Sequence, residues 1–422
     1  KSFAAAWDSQ FGSWEYQAVM NKEKGTEIIV DWEDKTSVRM SAAQLYDIIF
    51  EGNNKWMLSA NGTIFTYEFE GIIPGLLKRW YAERKEMQQK MRDCGDNEIE
   101  REYWDKRQLV KKINLNSLYG AILNPGCRFF DIRIGQSVTL CGRTITKHMA
   151  SETNKIIAGD YNHQGESIIY GDTDSVYFSA YPMIKSEVEA GNIPWTKKSV
   201  VELYDNVGDE VNKSFPSFMM KATNVPRENG EIIKGGREMV ASKGLFITKK
   251  RYAALIYDLE GERKDVDGKL GKIKAMGVDL KRSDTPEFVQ RFLEDLLTMV
   301  LSGSSKEDCF DKINKFKEQF TLRPGWEKGT PKRVNNLTKY REMVETYNRK
   351  TQQLANIGQG AETLKKPIMP GHVRASMNWN QLRKAYKDNY SLPIQDGQKV
   401  IVCKLRSNPM NYTSIAYPID EL

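Results

Sequence analysis

Residues 167–180, SIIYGDTDSVYFSA, admit few folds. Apolar Ile168 and Ile169 precede Gly-Asp-Thr-Asp, and Val176 and Phe178 follow it, a pattern that reads as strand, tight turn, strand. Asp172 and Asp174 stand two apart, and alternate residues of an extended chain face the same way. Carboxylates held that close repel each other unless a cation lies nearby. Mg²⁺ suits such a place, because it takes oxygen ligands and typically only one or two protein carboxylates plus substrate phosphates. The pattern predicts a rigid hairpin that offers acids to a metal. An Asp-rich surface turn would satisfy the same residues.

Upstream lies a pair of helices. Pro74 opens the first, and Leu77, Trp80, Met87 and Met91 recur at helical spacing to about residue 92. Cys94-Gly-Asp-Asn97 breaks it, and a second helix is expected over 98–118. So short a polar connection makes the two an antiparallel hairpin. Lys112, Asn116 and Tyr119 fall at i, i+4 and i+7, on one face. Arg84 occupies a comparable place on the first helix. Two cations converging there would clamp a triphosphate, and the tyrosine ring could pack against a base or sugar. A solvated basic face edged by a tyrosine is the alternative.

The remaining elements are coarser. Strands are expected at 27–32, 63–69 and 400–405, and β structure within 231–259, clearest over 252–259. Helices are expected at 135–157, at 287–301 and around 309–320. The stretch after Arg323, punctuated by Gly and Pro, is expected to be only partly regular.

Composition narrows the function. The chain has 422 residues, enough for two to four domains. Its net charge is 63 − 56 = +7. Between Arg323 and Arg374 stand 11 basic and 4 acidic residues, so this one stretch carries the whole excess. It invites a polyanion, nucleic acid or an acidic membrane surface. Three histidines far apart argue against a His-rich metal site, and five cysteines without a CxxC pair argue against zinc and fit a reducing cytoplasm. No apolar run reaches the ~18–20 residues that span a bilayer. The chain starts at Lys1 rather than Met, which is expected of a fragment or a cut product.

Three segments together resemble family B DNA polymerases. Residues 112–120, KINLNSLYG, look like the fingers motif Kx₃NSxYG; residues 170–175, YGDTDS, look like the palm motif; Lys249-Lys-Arg-Tyr252 is similar to the KKRY-type motif that touches the primer strand. Their order is the family's. Within the family the likeness is greatest to the T-even-phage-type replicative polymerases, and it covers about residues 60–422. Gly71-Ile-Ile-Pro74, Glu83-Arg-Lys-Glu86, Arg128 to Arg133, Lys274-Ala-Met-Gly277, Ser283 to Pro286, Gly371 to Arg374 and Ala416-Tyr-Pro418 fit as well.

The resemblance implies an α+β right hand: an antiparallel-sheet palm, two-helix fingers and a largely helical thumb. Residues 1–70 would be a remnant of the palm region, 71–122 the fingers, 123–285 the palm and 286–422 a truncated thumb. The implied reaction is template-directed addition of dNTPs to a primer 3′ end. Asp174 would be a ligand of the two Mg²⁺ ions, with Asp172 its neighbour and Glu238 a further, weaker palm acid. Arg84, Lys112 and Asn116 would hold the nucleotide, and Tyr119 would line the nascent base-pair pocket. Lys249, Lys250, Arg251 and Tyr252 would hold the primer–template DNA, joined by Lys332 and Arg333 in the basic thumb. A polymerase thumb has no need of a membrane, so the membrane reading of the charge falls away, and the host cytoplasm is the expected location.

The family's first palm motif, DxxSLYPS, is not found in these residues. The other metal-binding aspartate and an exonuclease region are therefore expected from a separate N-terminal part, whether the gene is split or the sequence partial. A sliding clamp is not expected to bind through this chain, for want of the C-terminal tail. Gln88 stands where the T-even group tends to have a second cation, and Leu123 where Gly is usual. A non-catalytic DNA-binding subunit derived from a polymerase and an RNA-templated palm enzyme are the alternatives.

Overall fold

The computed structural model describes residues 11–266, 268–358 and 364–419. The chain gathers into two compact units that divide between Arg237 and Glu238. Both mix helices with small sheets, and every strand pair among the described residues is antiparallel, so the composition is α+β as expected.

The first unit opens with α1 (Trp14–Met20), the hairpin β1 (Glu27–Asp31) and β2 (Ser37–Ser41), α2 (Ala42–Tyr46), a π-helical turn and the hairpin β3 (Trp56–Leu58) and β4 (Ile64–Thr66). Ser13 caps α1, and a Ser41–Gln44 capping box starts α2. Tyr16, Val19, Leu45, Ile49 and Leu58 from these elements share one core with Phe218, Met219 and Ala222.

Next come α3 (Ile72–Asp93) and α4 (Glu98–Ile122), the expected pair, with α4 reaching four residues beyond 118. Asn97 caps α4 by accepting from Glu100 N. α3 has no buried residue and α4 only Ile122. α5 (Ile132–Ala158) starts at an Asp131 cap and stops at Gly159, whose φ of +79° suits a residue without Cβ. The hairpin β5 (Ile168–Asp172) and β6 (Ser175–Phe178) follows, then α6 (Tyr181–Glu189) and α7 (Lys197–Thr223).

The 27-residue α7 has no counterpart in the sequence reading. Pro216 lies inside it, a residue that removes a backbone donor and normally argues for a break. Burial overrides that local signal: Val207, Val211 and Phe215 pack with Met149 of α5 and Phe178 of β6. The buried His148 of α5 stacks on Phe218 at 3.9 Å and bonds Tyr161 OH (2.7 Å) and Ser214 Oγ (2.8 Å). Burial pushes its pKa down to about 3, so it sits neutral in the core.

The second unit begins with β7 (Met239–Thr248), β8 (Arg251–Leu259), β9 (Glu262–Arg263) and β10 (Lys272–Met276), ordered β10-β8-β7 with β9 against β8. β8 is buried from Tyr252 to Asp258. Ala253 and Leu255 meet Leu301 of α8 (Glu287–Ser302). α9 (Lys306–Leu322) stacks Phe316 on Phe292 of α8 at 3.8 Å, the apolar stripe expected there. After Arg323 the structure is more regular than expected. β11 (Thr330–Arg333), α10 (Leu337–Asn356) and α11 (Gly371–Ala385) occupy this stretch, and Pro367 and Pro370 lie between the two helices rather than inside either. β12 (Lys399–Lys404) pairs with β11 and β13 (Ser414–Pro418) around Val334, Val373, Val400 and Ala416.

Candidate functional site

The aspartate turn joins β5 to β6, with Asp172 opposite Ser175. The two acids differ. Asp172 accepts bonds from Thr173 N (2.9 Å), Thr173 Oγ1 (3.3 Å) and Tyr170 OH (3.4 Å), so its carboxylate stabilises its own turn. Asp174 is exposed, and its carboxylate has no hydrogen bond or ion pair among the described residues. One acid shapes the loop while the other is displayed.

α5 holds this turn. Thr146 Oγ1 donates to the Thr173 carbonyl (2.9 Å), the peptide between the two aspartates. Seven residues earlier, Thr139 Oγ1 meets Tyr119 OH at 2.5 Å, and that hydroxyl also lies 3.4 Å from the Gly135 carbonyl. Residues i and i+7 share a helix face about 10 Å apart along the axis. One face of α5 therefore carries both the end of α4 and the aspartate turn. The reading of the sequence singled out neither threonine; the only signal was their seven-residue spacing.

On the helix pair, Arg84 Nε donates to Gln108 Oε1 (3.2 Å). Gln108 lies one turn before Lys112, so Arg84 is tied to the face of α4 that carries Lys112, Asn116 and Tyr119. Lys112 and Asn116 are exposed, with no partner among the described residues. Lys111 instead pairs with Glu83 and lies over the Trp80 ring at 5.7 Å. Cross-helix contacts thus consume Lys111 and leave the Lys112 cation available.

The other expected residues lie in the second unit. Lys249 and Lys250 form the two-residue link between β7 and β8, both exposed. Arg251 Nε donates to the Gly277 carbonyl (3.1 Å). Tyr252 is only 2 % exposed and stacks on Phe246 (5.5 Å), so its ring supports the turn from beneath. Glu238 is ion-paired with Lys274. Lys332 is ion-paired with Asp284, and Arg333 Nε donates to the Gly397 carbonyl (3.0 Å). The Arg282 and Lys332 cations hold the Asp284 carboxyl well below the usual carboxylate range. Asp284 belongs to the Ser283–Pro286 segment likened to the family, but its pairing with Lys332 was not legible in the sequence, because nothing local marks a partner 48 residues away.

Asp172 and Asp174 supply hard oxygen donors, which fits Mg²⁺ and its habit of using one or two protein carboxylates. Among the described residues no three His, Cys, Asp or Glu side chains gather into a metal site. The same residues hold no helix long and apolar enough to cross a membrane.

A carboxylate turn and a cation-bearing helix are thus docked on one shared helix. The family model for DNA polymerase family B matches residues 28–357, most of the chain, and the chain belongs to that family. It is 27% identical over 323 residues to the DNA-directed DNA polymerase of Escherichia phage RB69, and 26% over 325 residues to that of Enterobacteria phage T4. Each match covers 74% of this chain and 33% of the relative. The DNA polymerase of Pyrococcus glycovorans is 26% identical over 257 residues, 61% of this chain and 27% of its own. The chain thus spans about a third of the length of these phage relatives.

Proposed function

We propose that this chain carries the fingers, most of the palm and part of the thumb of a right-hand, template-directed DNA polymerase. α3 and α4 would be the fingers, α5 with the β5–β6 hairpin the palm, and the helices from Glu287 onward the thumb. The observation that carries this reading is the shared face of α5, which docks Tyr119 and the aspartate turn while Asp174 stays exposed and unpaired.

In the reaction the primer O3′ forms a bond to the α-phosphorus of a dNTP, the α–β phosphoanhydride breaks, and pyrophosphate leaves. Such transfers need positioning and charge neutralisation more than covalent help. Asp174 would hold Mg²⁺, which when bound neutralises charge on the reacting oxygens. Lys112 and the Gln108-tethered Arg84 would neutralise the triphosphate, Asn116 would orient it, and the Tyr119 ring would bound the base-pair pocket. Lys249, Lys250 and Arg251 would contact DNA phosphates, with Tyr252 beneath them. The basic thumb would add sequence-independent, salt-sensitive grip.

The other metal-binding aspartate would come from a segment bearing DxxSLYPS, on the same or another polypeptide. A primer-extension assay with Mg²⁺ tests both halves. These 422 residues alone are expected not to extend a primer, and robust synthesis by them would break the proposed division. With that segment supplied, Asp174→Asn is expected to abolish extension. Undiminished extension would remove Asp174 from the metal site.

A further inference from the structure

Lys274-Ala-Met-Gly277 resembles a family segment, yet the proposed function gives Gly277 no task. We propose that Gly277 is a positioning residue that aims the Arg251 guanidinium at a DNA phosphate; this rests on the DNA-binding reading of the Lys249–Arg251 turn.

The geometry is local to one hairpin. β10 runs antiparallel to β8 with Met276 opposite Tyr252, so Gly277 comes next, opposite Arg251. Its φ is +65°, a left-handed conformation that L side chains rarely adopt. A Cβ at this position would lie 2.0 Å from the Lys250 carbonyl oxygen and 3.1 Å from Arg251 Cγ. Lys250 is itself left-handed, at φ +61°, an uncommon state for a residue with a side chain. The missing Cβ therefore lets two backbones touch where the cationic turn is bent most sharply.

That approach serves Arg251. Its Nε–H is spent on the Gly277 carbonyl, which fixes the plane of the guanidinium. Both Nη groups have no partner among the described residues. A planar fork with one edge tethered and the other free suits a phosphate, whose oxygens accept parallel N–H bonds. Because the tether needs only a donor at Nε, it can be separated from the charge. The amide nitrogen of Gln lies as many bonds from its Cα as Nε does in Arg.

The test is a fluorescence-anisotropy titration of a primer–template duplex against this chain, repeated across KCl concentrations. Removing one phosphate-binding cation lowers the slope of log K against log[salt] by about 0.9. Arg251→Gln keeps a donor for Gly277 but drops the charge, and is expected to flatten the slope by about that amount. Gly277→Ala keeps the arginine yet is expected to flatten it equally, and the double variant no further. A purely structural glycine would lower the melting temperature and leave the slope at the wild-type value, which overturns the proposal. So would an unchanged slope in Arg251→Gln, a variant that leaves the Gly277 backbone intact. Absence of salt-dependent duplex binding by the wild type would instead sink the DNA reading, and this inference with it.

Discussion

Two helix pairs of the first unit can be set side by side. α3 and α4 together bury a single residue, and polar contacts join them: Lys111 to Glu83, Arg84 to Gln108, and Lys90 over Trp104 at 4.8 Å. α5 and α7 enclose His148, Val207, Val211, Phe215 and Phe218. Helices hold together in water chiefly through buried apolar area. The second pair therefore carries the unit's stability, and the first is free to spend its surface on cations. Function and stability should separate cleanly between them, and point substitutions in each pair can measure how cleanly.

The largest effect belongs to the buried pair. Phe218 is 2 % exposed, stacks on His148 and joins the core that residues 11–60 make with α7. Phe218→Ala is expected to destabilise the protein by about 3–5 kcal/mol, the usual cost of emptying an aromatic core site. Urea unfolding measures it, and a loss under about 1 kcal/mol would show that α7 is not the support claimed here.

Lys112→Ala is the mirror experiment. The side chain is exposed and unpartnered among the described residues, so stability should move by no more than about 0.5 kcal/mol. Extension by the reconstituted enzyme should fall roughly 10²–10³-fold, the scale for removing one preorganised charge-stabilising donor. A variant that melts early, or that polymerises normally, erases the contrast between the pairs.

A third effect comes from pH. His148 has a folded pKa of about 3 against an ordinary value of 6.5, because burial disfavours the cation. Between these values the unfolded chain binds the extra proton, so stability is full above about pH 6.5 and falls as pH drops toward 3. The slope from this one group is at most about 1.4 kcal/mol per pH unit. His148→Gln, compared with the wild type in denaturant melts from about pH 7 to about pH 4, should lose that part of the slope. Parallel curves would mean that the histidine is solvated.

How legible all this was depended on distance along the chain. The helix pair, the aspartate hairpin and the α8–α9 stripe were readable because caps, turns and periodicity are local. α7 was not, since Pro216 contradicts its helix and only packing on Met149 and Phe178 overrules it. Within the site the displayed residues were readable as motifs. Their supports, Thr139, Thr146 and Gln108, were not, because one threonine hydroxyl or amide looks like any other until folding brings it to its partner. Tyr252 shows the converse. A motif places it beside three cations, and only the sheet reveals that it faces inward.

The smallest effect carries the opposite sign. Glu83 sits between Lys111, with which it pairs across the helices, and Arg79, 4.0 Å away on its own helix. The Lys111 and Glu83 side chains keep 23% and 38% of their exposure, so solvent screens the pair and its loss should cost at most about 1 kcal/mol. Glu83→Gln also deletes a negative charge from the face of a helix pair argued to receive a triphosphate. If α3 and α4 act as a phosphate clamp, this variant should bind dNTP a few-fold more tightly at low salt. The gain should shrink toward about 1 M KCl, where the Debye length falls to about 3 Å. Weaker binding at every salt concentration would mean that Glu83 works by fixing the pair's geometry, and that its polar contacts are as structural as the core beneath α7.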